Sequence, residues 1–114
     1  MKKLLLAAAL MLTSFGAFAD EFDDLVKELR DTAPAGCSVR AAKKYRVIFA
    51  DCKVPDKRLP TDAELASVKT ALLNEWRKTP QISAVLKDND ISVFINYVGR
   101  DGTIRTIIIA PADI

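Results

Sequence analysis

The sequence predicts an α+β domain: two α-β-β units forming a four-stranded antiparallel sheet with helices packed on one face. Three observations carry that expectation. Two stretches, 22–29 and 65–76, place apolar residues at helical spacing. Two others, 37–52 and 91–110, are runs rich in β-branched and aromatic residues that fold back on themselves. The four alternate as helix, hairpin, helix, hairpin, which suits helices segregated to one side of an antiparallel sheet.

Ahead of them stands a leader. Met1-Lys2-Lys3 is charged, Leu4 to Phe18 is almost wholly apolar or small, and Ala17-Phe18-Ala19 forms an A-x-A site before Asp20. This is the pattern of a secretory signal peptide, residues 1–19, cleaved after Ala19. The 16 residues from Leu4 to Ala19 fall short of the roughly 20 that span a bilayer, so no stable membrane anchor is expected. No cysteine follows the small-residue site, which argues against a lipid-modified terminus. The mature chain is expected in the periplasm, or secreted beyond it, as one domain over residues 20–114.

The first helix is read over residues 20–32. Phe22, Leu25, Val26 and Leu29 share one face, acids crowd its start, and Lys27 and Arg30 lie near its end, the polarity that a helix dipole favours. Ala33-Pro34-Ala35-Gly36 stops it. Next comes a hairpin over residues 37–54, with Tyr45 to Ala50 as its clear strand and Cys37 to Ala42 as a weaker one. Centring the turn between Lys44 and Tyr45 sets Cys37 opposite Cys52. These two cysteines remain after cleavage, and in an oxidising compartment they are expected to form a disulfide.

Pro55 to Pro60 reads as a linker. Thr61 with Glu64 makes a capping box for a second helix whose Leu65, Val68, Leu72 and Trp76 run down one face. Pro80 breaks it, Gln81 to Leu86 adds a turn or two, and Lys87 to Asp90 is a loop. Strands follow at Ile91–Val98 and Thr103–Ala110, joined by Gly99-Arg100-Asp101-Gly102, a strong hairpin signal. Pro111 ends the last strand.

Several chemistries are excluded or disfavoured by composition. The chain has no histidine, so triads built on that residue are ruled out, and two thiolates alone do not make a tetrahedral zinc site. No phosphate-cradling glycine loop, nucleophile elbow or Ca²⁺ loop occurs. Asp88-Asn89-Asp90 reads as a turn, and the acids Asp20, Glu21, Asp23 and Asp24 as a solvated helix start. No catalytic residue, metal or cofactor is therefore expected.

Charge is uneven. Residues 20–114 carry 15 bases and 15 acids once Lys2 and Lys3 are set aside, so no overall field favours nucleic acid. Locally, 36–58 is net +5 and 20–35 net −4. Arg40, Lys43, Lys44 and Arg46 form a candidate basic surface for an acidic envelope component; in the simpler alternative the hairpin and helix neutralise each other.

A second candidate surface comes from the last hairpin. Pairing Val98 with Thr103 puts Ile91, Val93, Ile95 and Tyr97 on a core face with Ile104, Thr106, Ile108 and Ala110. The opposite face then presents Phe94, Ile107 and Ile109, rimmed by Asn96 and Arg105, as a partner or homodimer site. A one-residue slip would exchange the faces of the last strand. The leading expectation is a non-enzymatic interaction protein acting through a sheet face or edge: an envelope accessory, an inhibitor or an immunity-type protein. The alternatives are a small-ligand or lipid carrier with Trp76 lining its pocket, and a carboxylate-based hydrolase using Asp23 and Asp24.

Overall fold

The computed structural model describes residues 21–54 and 58–114. The leader with its cleavage site, Asp20, and Pro55 to Lys57 of the linker lie outside the described residues. Helix α1 (Glu21–Thr32) leads into strands β1 (Cys37–Ala42) and β2 (Val47–Lys53). Helices α2 (Asp62–Lys78) and α3 (Pro80–Asp88) follow, then strands β3 (Ser92–Val98) and β4 (Ile104–Ile109). The chain is thus α+β with a four-stranded sheet in the order β1-β2-β3-β4.

The helices form where their apolar stripes find the sheet. Phe22, Leu25, Val26 and Leu29 of α1 are buried, as are Val68, Leu72 and Trp76 of α2. At the head of α2 the Thr61 hydroxyl accepts from the Glu64 N–H at 3.2 Å, and the Glu64 carboxylate accepts from the Thr61 N–H at 2.9 Å. Pro80 ends α2 but opens α3 as its first residue, where a missing N–H costs nothing. Helix α3 buries Ile82, Val85 and Leu86, so the second unit holds two helices rather than one.

The first hairpin has the expected register, with Cys37 opposite Cys52 and Ala42 opposite Val47. Its turn is a short 3₁₀ segment, Lys43–Tyr45, closed by Arg46 in the left-handed region at φ 56°. A four-residue connection of this kind needs no Asn-Gly pair.

Two expectations need correction. The sheet is mixed, because β2 and β3 run parallel, with Phe49 beside Phe94 and Asp51 beside Asn96. Parallel neighbours require a crossover that returns the chain to the starting end, and α2 with α3 supplies it. The last hairpin is also shifted by one residue: Val98 faces Ile104, not Thr103. Gly99 N–H donates to the Thr103 carbonyl at 2.7 Å, and Gly102 takes φ 88°. That is a three-residue connection with a left-handed glycine, in place of the four-residue loop expected.

The slip changes what the core contains. Ile107 and Ile109 are 3% and 1% exposed and pack with Val93, Ile95 and Tyr97. Ile104 and Ile108, assigned to the core from sequence, are 54% and 48% exposed. Thr106 is exposed as well, and Ala110 is half-buried. The core lies between the three helices and the face carrying Val39, Ile48, Ala50, Cys52, Val93, Ile95, Tyr97, Ile107 and Ile109.

Candidate functional site: the open face of the sheet

Alternation along the strands sends Arg40, Phe49, Asp51, Phe94, Asn96, Val98, Ile104, Thr106 and Ile108 to the face opposite the core. The register arranges these side chains in rows. In one row Arg40 faces Phe49, Phe49 lies beside Phe94, and Phe94 faces Ile108. The Arg40 guanidinium sits 4.6 Å from the centre of the Phe49 ring, and the Phe49 and Phe94 rings meet edge to face at 5.4 Å. Both contacts are favourable geometries for a ring quadrupole.

The neighbouring row is polar and continuous. Arg40 Nε and Nη2 donate to the two Asp51 oxygens at 2.5 and 3.2 Å. Asn96 Nδ2 donates to Asp51 Oδ1 at 2.8 Å, and Thr106 Oγ1 donates to Asn96 Oδ1 at 2.7 Å. One side chain from each strand thus joins a chain of hydrogen bonds across the whole sheet. The Arg40 hydrogen bond is the main cause holding the Asp51 carboxyl below its ordinary range; burial opposes it, and the Asn96 amide helps it. A polar row satisfied from within costs less to cover with a partner than the same groups would unpaired, because its charges already have partners.

Of the sequence-derived patch, Phe94 and Asn96 stand together on this face. Ile107 and Ile109 do not: the one-residue slip turns them into the core. Arg105 is on the helix side with them, half-buried and paired with Asp62 at the start of α2. The residues that replace them are Phe49, Ile104 and Ile108. Phe49 was legible in the alternation of β2, where it falls out of phase with Ile48, Ala50 and Cys52. The parallel pairing that brings it to Phe94 was not.

The four basic residues of the first hairpin are largely engaged. Arg40 is held by Asp51, and Lys43 Nζ reaches Asp23 at 3.1 Å. The Arg46 guanidinium lies 5.7 Å from the centre of the Phe22 ring, and Lys44 Nζ is 5.7 Å from that of Tyr45. Basic hairpin and acidic helix thus meet through Lys43 and Asp23. Cys37 and Cys52 form a disulfide with Cα atoms 4.0 Å apart.

Other chemistry has little to stand on among the described residues. No group of three Asp, Glu or Cys side chains is placed to hold a metal ion, and no helix is long and apolar enough to cross a membrane. Behind Trp76, between helices and sheet, is a void of about 10 Å³ lined by Leu25, Leu29, Ile82, Leu86 and Val93. No protein-family model, curated protein or solved structure matches the chain, so the reading of its function rests on this geometry.

Proposed function

We propose that this is a non-enzymatic interaction protein of the bacterial cell envelope, binding a protein partner through the open face of its sheet. The observation that carries the reading is the pairing of the two rows. Phe49, Phe94 and Ile108 offer apolar area that no described helix covers, and the adjacent Arg40–Asp51–Asn96–Thr106 chain offers polar groups with their hydrogen bonds already made. An apolar patch beside fixed polar groups is the composition of a recognition surface.

An address in the envelope is supported by the charged, apolar and A-x-A segments of residues 1–19 and by the Cys37–Cys52 bridge. A small-ligand carrier with its pocket between helices and sheet fits less well, since such a pocket takes a few hundred Å³ and the void behind Trp76 has room for about one water molecule. A hydrolase built on Asp23 and Asp24 fits less well too, because Asp23 is joined to Lys43.

The test is chemical cross-linking and pull-down of the exported protein beside two variants shown to be folded, Phe94→Asp and Lys44→Glu. Loss of the captured partner with Phe94→Asp and its retention with Lys44→Glu is the expected result. The reverse would move the site to the first hairpin. Mass spectrometry of the protein recovered from the envelope reads the N-terminus, which is expected at Asp20.

A further inference from the structure

The two edges of the sheet are not alike. Lys53 N–H donates to the Gly36 carbonyl at 2.9 Å, which fixes the hydrogen-bonded pairs of the first hairpin as Ser38–Asp51, Arg40–Phe49 and Ala42–Val47. The main-chain groups of Cys37, Val39 and Ala41 therefore point outward from β1. Two of those groups are taken up by the chain itself: the Val39 carbonyl accepts from Arg30 Nε of α1 at 3.2 Å, and Cys37 N–H donates to the Pro34 carbonyl at 3.1 Å.

On the other side, the Gly99–Thr103 bond makes Tyr97–Arg105, Ile95–Ile107 and Val93–Ile109 the bonded pairs of the second hairpin. Two contacts agree with that phase. Ser92 N–H donates to Arg46 and the Val98 carbonyl accepts from Val54, so the even-numbered residues of β3 serve β2. The N–H and C=O groups of Ile104, Thr106 and Ile108 consequently point outward from β4, and none of them is bonded to any described residue outside the strand. Natural edge strands are guarded by lysine, proline, bulges or covering segments. Strand β4, Ile-Arg-Thr-Ile-Ile-Ile, has no lysine or proline, and its one charge, Arg105, is engaged by Asp62.

We propose that β4 pairs antiparallel with β4 of a second copy of this chain, joining two sheets into one of eight strands. The inference goes beyond the face-binding reading and does not depend on it. The edge matches itself. A two-fold axis through Thr106 sets Thr106 against Thr106 of the second copy and Ile104 against Ile108, so the two most exposed isoleucines cover each other. In that register all three outward-facing residues fall in hydrogen-bonded pairs. Shifting the axis to Arg105 puts two guanidinium groups opposite each other, and shifting it to Ile107 leaves Ile104 without a partner. Residues 20–114 carry equal numbers of acids and bases, so two copies do not repel. A six-residue edge is small beside the roughly 800 Å² per partner of a standard interface, so dissociation in the micromolar range or weaker is expected.

The test is sedimentation equilibrium of the protein purified after expression of the full gene product, at concentrations up to about 1 mM. Thr106→Pro removes an N–H that β3 does not use, and proline is tolerated on an edge strand. The wild type is expected to dimerise and a folded Thr106→Pro variant to stay monomeric. Register is read by oxidising single-cysteine additions. Thr106→Cys brings two thiols together across the axis, whereas the two copies of Ile104→Cys stand about 13 Å apart, beyond disulfide reach.

A cross-link in Thr106→Cys and not in Ile104→Cys supports the proposal. A wild type that is monomeric throughout, a dimer that survives Thr106→Pro, or equal cross-linking of both cysteine variants overturns it. If Thr106→Pro does not fold, the cysteine pair decides on the same terms. Thr106 and Ile104 also stand on the open face, so the two inferences are separated at Phe49 on β2, away from the β4 edge: a folded Phe49→Asp variant that still dimerises but no longer captures a partner parts this inference from the face-binding one.

Discussion

Asn96 donates its side-chain amide to Asp51 across the parallel junction of the sheet, at 2.8 Å. Its carbonyl accepts from Thr106 on the next strand, so it links the acid of one hairpin to the hydroxyl of the other. Asn96→Ala leaves Asp51 with one donor fewer and is expected to cost about 1 kcal/mol. Asn96→Asp sets a second carboxylate against the first and is expected to cost about 2–3 kcal/mol at neutral pH, with part of the loss recovered as the pH falls. Urea unfolding of both variants at two pH values separates the lost hydrogen bond from the added charge.

The register of the last hairpin has its own signature. Ile107 is 3% exposed and Ile108 is 48% exposed. Ile107→Ala is expected to destabilise by about 2–4 kcal/mol through lost contacts and a cavity. Ile108→Ala is expected to cost less than about 1 kcal/mol. The opposite order in a denaturant titration would restore the pairing of Val98 with Thr103.

The disulfide closes a 15-residue separation between adjacent strands. Replacing both Cys37 and Cys52 with serine is expected to remove about 3 kcal/mol, chiefly by freeing the unfolded chain. Comparing unfolding midpoints of the oxidised protein, the reduced protein and the double variant measures it.

Stability is expected to fall at both ends of the pH scale and to change little between. Asp51, Glu64, Asp101 and Asp113 are all held below their ordinary values, by the Arg40 hydrogen bond and by the N–H groups of Thr61, Thr103 and Ala110 respectively. Depressed carboxyl groups stabilise the fold above their unfolded values, and that contribution is lost as pH falls from about 4 through the folded ones. At the alkaline end, burial pushes the Tyr97 phenol up to about 12. The unfolded chain then gives up its proton first, so stability declines from about pH 10 upward, by on the order of 2 kcal/mol at pH 12. With no histidine in the chain, the neutral range lacks its usual side-chain titration. Circular dichroism melts from pH 2 to 12 trace the profile.

The strands, the helix stripes, the capping box at Thr61 and the first hairpin's register were all legible, because each is set by residues close in sequence. The direction of β3 beside β2 was not, since it depends on how α2 and α3 carry the chain back and leaves no local pattern. The last register turned on a single residue. Either Ile104 and Ile108 or Ile107 and Ile109 satisfy an alternating strand, and the choice follows from Gly102 taking a positive φ, which the string Gly-Arg-Asp-Gly permits but does not require. That one turn decided which isoleucines were available at the surface, and with them most of the candidate site.

The mixed sheet also sets an order of assembly. Each antiparallel hairpin closes across a short turn, whereas β2 meets β3 only after the segment from Val54 to Ile91 has been spanned. Loop closure of that length and helix docking are expected to fall late, which makes joining the two hairpins the expected slow event in folding. The cross-link between Cys37 and Cys52 lies wholly within the early hairpin. Reducing it should therefore lower equilibrium stability while leaving untouched the long closure on which the final docking rate depends.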